Sequence, residues 1–414
     1  MRVIVNELKK IWNVKILGII ALLSIFFAVS MYPYIDAYPR GTWVFNVDFA
    51  HHLTENYGTT LNREDFEDFL NYEETIIQEV NEFIATRQVF IHAGIFDFAD
   101  YLAFREETGR LYDTLTDEEL KERVMITGEM GYTTRLRDGT DIRVNPDEPS
   151  VAYTKWVSFH NLVGGYRTDV LGETEWNSRM DNFIHYTPLS ERELQRAMEI
   201  RDSGELTNIL PYWTVWHTMR YARSLAILVI LATLVLVSQL VTTDRANRVN
   251  WLQYSAKEGR KIFRKQLLAV LLSAFAMTTI LIAIFAGIFS ITDVQGLWHN
   301  GINSFLNWQF FWLSITFGQY CLMLIAILYA LSLASAAFAF VLSRFSSNKI
   351  RLMFKIVPFF VFGMMLQDWI LSYFLVIFEG GNWVLQVSVL AVSLIVGILL
   401  AMVVIRREKR VELV

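Results

Sequence analysis

The apolar residues of this chain are gathered into six stretches of bilayer-crossing length, and a long acidic block separates the first from the other five. A hydrocarbon core about 30 Å thick needs about 20 helical residues to cross it. The stretches run over 16–35, 219–242, 266–290, 310–343, 352–377 and 384–405. In the fourth, Trp308, Phe310, Phe311 and Trp312 suit an interfacial approach, with the crossing nearer 316–342. The expected fold is mainly α: a polytopic membrane protein with six transmembrane helices and a mostly helical extracellular insert.

Composition agrees. Charged residues are 19% of the chain, against about 25% in soluble domains. Residues 36–218 hold 34 acidic and 16 basic residues, whereas the remainder is net basic. Cys321 is the one cysteine and falls inside an apolar stretch, so the insert is expected to fold without a disulfide. The first stretch is too long for a signal-peptide core. Met31-Tyr32-Pro33-Tyr34 also lacks a small-x-small cleavage site, so a retained first span is expected.

Lys and Arg set the orientation. They cluster before the first span (Arg2, Lys9, Lys10, Lys15), between the second and third, between the fourth and fifth, and in the tail at 406–414. The loops around 291–308 and 378–383 have none. The positive-inside rule then places both termini in the cytosol of a cell-membrane protein and residues 36–218 outside. Residues 1–15 read as an amphipathic helix on the cytosolic lipid surface. Ile4, Leu8, Ile11 and Trp12 share one face, while Glu7, Lys9 and Lys10 lie elsewhere.

In the insert, Phe66, Phe69, Leu70, Ile77, Val80 and Ile84 form one helical stripe over 61–85. Thr116–Glu119 and Ser190–Glu193 read as capping boxes, opening helices to about Gly128 and over 191–202. Residues 131–170 read as turns and short strands. All seven histidines fall on the outside by this topology, and their spacing matches no metal motif. No metal site, no catalytic residue and no nucleic-acid partner is expected.

The segment 243–265 carries the strongest functional signal. Residues 245–254 have helical spacing, with Val249 and Leu252 on one side. Ser255-Ala256-Lys257-Glu258 reads as a second capping box, so one helix stops near Tyr254 and another starts at Ala256 and runs into span three. Gly259 weakens its first turn. A short cytosolic helix, a corner and a helix joined rigidly to a span can carry a push from a partner into the membrane. A basic cytosolic loop is also what topology alone requires.

Taken in order along the chain, these motifs resemble the permease subunit of ABC-2 type exporters, in the Gram-positive branch with a large insert after the first span. The resemblance covers the six-span core and the surface helix. Glu7-Leu8-Lys9-Lys10 matches the Glu-x-Lys pattern of that family's N-terminal helix. Asp244 matches its acidic residue after span two, with Asp in place of the commoner Glu. Residues Tyr254, Ser255, Lys257, Glu258, Gly259 and Arg260, followed by Lys265, look like its coupling helix. The usual Gly-Thr after the acid is absent; Asn247-Arg248 stands there, which leaves the register of the coupling helix open. Leu331–Ala337 resembles its small-residue stretch, although close helix packing explains such a stretch equally well.

The resemblance implies a complex with a separate ATPase subunit and a second permease copy or paralogue. ATP and Mg would then sit on the partner ATPase, with no cofactor on this chain. The sequence has no Gly-Lys pair and therefore no Walker-type phosphate loop.

Gln367-Asp368 inside span five is a possible pathway element, a packing residue pair, or a sign that the span ends earlier. Two other classes stay open. A proton-coupled secondary transporter would use Asp368, but no inverted repeat or paired ionisable residues accompany it. A membrane-tethered sensor or interaction protein explains the insert but not five later spans. A membrane enzyme lacks HExxH, GxSxG or a placed carboxylate cluster.

Overall fold

A computed structural model of the chain describes residues 2–40, 47–131, 133–135, 141–143, 150, 152–157, 159, 178–246, 262–307, 309–377 and 382–410. The chain forms two compact units, Met1–Arg40 with Arg179–Val414, and Gly41–Ser178. Residues 179–218, which hydropathy groups with the insert, pack with the spans.

The first unit is a multi-pass membrane helix bundle. A short helix, Arg2–Ile11, precedes six long apolar helices: Val14–Arg40, Tyr212–Ala246, Ile262–Phe289, Phe317–Arg344, Lys349–Leu371 and Trp383–Arg410. Spans two and four form its centre, with 67% of their most apolar windows buried; span five, at 11%, lies on the perimeter. Span four begins at Phe317, where Thr316 and Gln319 close a capping box. Phe310–Thr316 is not helical, so the fourth apolar stretch is part loop and part span. Span five likewise stops at Leu371, six residues short of the hydropathy boundary at 377.

Small residues bring the central helices together. A methyl on Gly397 of span six would sit 3.2 Å from Ala337 Cβ of span four, so the pair tolerates little more than glycine there. Ser332 of span four lies at a three-helix junction. Its hydroxyl bonds Thr233 of span two at 2.9 Å and accepts from Thr278 of span three at 2.7 Å. All three residues are fully buried, and lipid offers no alternative partner.

Away from the N-terminal helix, irregular backbone caps the bundle. Such backbone survives at membrane depth only where protein satisfies it. Asn300 Nδ2 donates to Ile209 O at 2.5 Å, and Ser304 Oγ donates to Asn208 O at 2.6 Å. Glu205 accepts from Asn303 at 2.6 Å, from Ser314 at 2.7 Å and from Arg196 at 3.1 Å. Trp312 N–H donates to Leu375 O, and Ile377 N–H to Phe310 O, both at 2.8 Å. Tyr373 and Leu375 hold φ of 52° and 68°, a left-handed conformation that side chains disfavour and that these bonds help to enforce. Gln386 of span six donates to the carbonyls of Trp369 and Ser372, capping the end of span five.

The second unit is built from short helices around an aromatic core. The expected helix over 61–85 is broken: Arg63–Leu70 ends at Asn71 and Tyr72–Thr86 begins there. The break changes which residues face inward, so Ile76 is buried beside Phe69, Val80 and Ile84, whereas Ile77 is half-buried. Thr116 caps Asp117–Gly128 with a complete capping box. Ser190 does the same for Glu191–Asp202, which belongs to the membrane unit. Thr133–Arg135 and Asp141–Arg143 pair as a small antiparallel hairpin. Phe98, Tyr101, Tyr153 and Trp156 pack edge-to-face and stacked, with Phe98 and Trp156 centroids 4.8 Å apart.

The three-hydroxyl junction is testable. Ser332→Ala should lower stability by about 1 kcal/mol, the range of interhelical hydrogen bonds in membranes. Ser332→Leu should lower it further by overpacking. Reversible unfolding in mixed detergent reads both, and an unchanged midpoint for Ser332→Leu would show that the helices do not meet there.

Candidate functional site at the base of spans two, three and four

The N-terminal helix is amphipathic, but its inner side carries charge. Ile11 and Glu7 are buried at 1% and 2% exposure, and the helix packs on spans two and three. The expectation that Glu7 lies off the packed face is therefore corrected: the helix rests on protein, and Glu7 points into it. Lys9 stays exposed. Trp12 Nε1 donates to Ser273 of span three at 3.1 Å, fixing the turn into span one.

Around Glu7 the ends of three spans converge. Lys10 Nζ donates to Glu7 Oε1 at 2.8 Å and to Asp244 Oδ1 at 3.0 Å. Gln266 Nε2 donates to Glu7 Oε2 and Asp244 Oδ2, each at 3.0 Å. Arg344 Nη2 in turn donates to Gln266 Oε1. Its guanidinium lies over the rings of Phe263 and Phe340, at 4.6 and 5.2 Å. Asp244, Gln266 and Arg344 are all at most 6% exposed.

The chemistry explains the residue types. Two buried carboxylates repel each other unless cations and donors stand between them. Lys10 bridges them on the solvent side and Gln266 on the inner side. Arg344 orients the Gln266 amide, because its donor fixes which amide atom is the oxygen. Burial acts to lower the Lys10 pKa, but its bonds to Glu7 and Asp244 outweigh that and raise it above the ordinary 10.5. The bridge therefore stays charged through neutral pH. Its contribution to stability is complete below 10.5 and disappears as pH climbs through the raised value.

Asp244 lies near the end of span two and Gln266 in the first turns of span three, so their bond closes the base of the segment between them. Of the expected coupling residues, Asp244 is in this cluster. Arg248, Leu252, Tyr254, Ser255, Lys257, Glu258, Gly259 and Arg260 lie outside the described residues. Gln266 and Arg344 were not among the sequence-derived candidates. A glutamine opening an otherwise apolar span, and an arginine ending another, are the signals that mark them.

The second candidate pair sits near the opposite end. Asp368 is in the last turn of span five and is ion-paired with Arg223 of span two; its side chain is 52% exposed. Gln367 beside it is buried, and its Oε1 has no hydrogen-bond partner among the described residues. Among the described residues, no group of three or more His, Cys, Asp or Glu is placed to hold a metal ion. No family description, characterised protein or solved structure matches this chain.

Gln266→Leu should destabilise the bundle more than Lys10→Met. The first strips donors from two buried carboxylates, at a cost of about 3 kcal/mol. The second removes a partly exposed ammonium whose effect water screens. Unfolding midpoints of the two variants in detergent check the order. In the parent protein the midpoint should hold from pH 7 to 9 and drop above 10.5 relative to Lys10→Met.

Proposed function

We propose that this chain is the membrane-spanning permease subunit of an ATP-driven exporter of the ABC-2 type, moving its substrate outward under power from a separate ATPase subunit. Both termini and the 243–265 segment are cytosolic in this reading, and residues 36–218 are extracellular. A second permease copy or paralogue completes the complex.

One observation carries the reading: the two ends of the 243–265 segment are tied to each other and to two further helices. Asp244 and Gln266 share a hydrogen bond, Glu7 and Lys10 join them from the N-terminal helix, and Arg344 joins from span four. A force applied to the segment between Asp244 and Gln266 is delivered to spans two, three and four at once. A basic loop kept only for orientation needs charge, but it does not need four buried polar residues bridged by a lysine at its base. The order of motifs along the chain, from Glu7-Leu8-Lys9-Lys10 to Arg260, supports the same assignment.

A proton-coupled carrier built on Asp368 is less well supported. A proton site needs a carboxyl whose charge is poorly tolerated. Asp368 has Arg223 beside it and lies half open at the end of a helix.

Affinity purification from the native membrane in mild detergent should bring down a nucleotide-binding subunit in equal amount. Its absence, under conditions that keep the chain monodisperse, would remove the exporter reading. Arg260→Glu and Leu252→Pro should each abolish ATP-dependent transport in reconstituted vesicles while membrane insertion persists; full transport in both would mean that the segment couples nothing.

A further inference from the structure

A cavity of about 190 Å³ lies in the half of the bundle remote from the N-terminal helix, between spans two, three and four. Leu225, Phe289, Cys321 and Leu324 form its walls, and Trp298 stands over it. Protein interiors rarely leave voids larger than a water molecule. Apolar cavities of about 150 Å³ stay dry and take up small hydrocarbons.

The polar groups in these walls are turned away. Thr218 Oγ1 donates to Thr214 O at 2.7 Å, and Tyr221 OH donates to Phe285 O at 2.7 Å. The cavity therefore presents hydrocarbon to whatever fills it.

It is not sealed. Cys321 and Leu324 on its inner wall are 8% and 3% exposed, but Ile282 and Ile325 are half-buried and Ala286 is exposed. The opening thus runs between spans three and four, through helix faces that meet lipid. Polar atoms stand at its membrane-boundary end only, where Gln295 Nε2 bonds Asp293 Oδ1 at 2.9 Å and Ser290 O at 3.1 Å. Trp298 is held above by its fit to span four: a methyl on Gly318 would overlap the indole ring.

We infer that this cavity is a binding site for one acyl chain of a bilayer phospholipid, entering sideways between spans three and four with its polar end at the Gln295 boundary. The occupant follows from the opening. A water-filled pocket would need polar walls, and a soluble ligand would need a mouth toward water. An acyl chain needs only hydrocarbon walls and a gap facing lipid. The inference concerns the bundle itself and holds whether or not an ATPase drives the chain.

The test uses the full-length chain in nanodiscs of dioleoylphosphatidylcholine, doped with phosphatidylcholine carrying a diazirine midway along one acyl chain. After irradiation, adducts are mapped by peptide mass spectrometry. Buried Cys321 and Leu324 should be labelled as strongly as Leu22 and Phe26, which face outward on span one. Ala222→Trp, which fills the cavity from span two, should abolish the Cys321 and Leu324 adducts and leave those at Leu22 and Phe26 unchanged. Leu328→Phe is the milder filling variant, for use if the first does not fold. Background labelling of Cys321 and Leu324 in the parent protein would by itself overturn the inference, as would adducts that persist in a folded filled variant. Rapid reaction of Cys321 with a charged, membrane-impermeant thiol reagent would also overturn it, by making the cavity aqueous.

Discussion

Lipid does not solvate polar atoms, and the membrane unit is organised around that fact. Most polar side chains it buries find a partner in the protein, because the bilayer offers none, and Gln367 Oε1 is an exception among the described residues. Ser332, Thr233 and Thr278 partner one another at the middle of the bundle. Asn300, Asn303 and Ser304 satisfy backbone that could not otherwise sit near the membrane, Asn303 by accepting from Phe311 N–H. Glu7 and Asp244, the costliest groups to bury, are held between Lys10 and Gln266. The helices supply the length to cross, while the polar contacts fix which helix meets which.

Much of this was legible in the sequence wherever a single length scale or local rule governs. Apolar runs of bilayer length give six helices, and the capping boxes at Thr116 and Ser190 give helix starts to the residue. Hydropathy misplaced boundaries where apolar residues serve a cap instead of a span. Phe310, Phe311 and Leu375 are as buried as any span residue, yet their backbone pairs across loops, so apolar character alone cannot separate the two cases. The break at Asn71 is not legible for a related reason: Asn71 keeps a helical backbone conformation and apolar residues lie on both sides of it, so the pattern reads as one stripe. Helical spacing places Glu7 off the face of Ile4, Leu8, Ile11 and Trp12, whereas the structure buries it. Its burial depends on Gln266 and Arg344, hundreds of residues away, and no local pattern records that pairing.

The two ends of the bundle solve different mechanical problems. The cap is dense with short bonds among residues of four segments and holds three left-handed side-chain-bearing positions among the described residues, Asp293, Tyr373 and Leu375. Such an arrangement favours one geometry. The basal cluster is sparser and charged: Lys10 and Gln266 each bond the same two carboxylates, Glu7 and Asp244. The two ends thus rest on different chemistry, many backbone-anchored bonds at the cap and one charge-bridged cluster at the base.

The cavity fits the same logic. On the exporter reading proposed above, helices that turn need space between them, or their side chains would collide. An apolar void stays dry, since water finds no partners on such walls, and it costs packing energy that an apolar occupant would recover. An acyl chain is abundant, flexible and withdrawn at little cost, so it can fill the space in one state and leave it in another. The gap between Leu225, Phe289 and Leu324 has hydrocarbon walls, and an acyl chain is the bilayer component whose chemistry matches them.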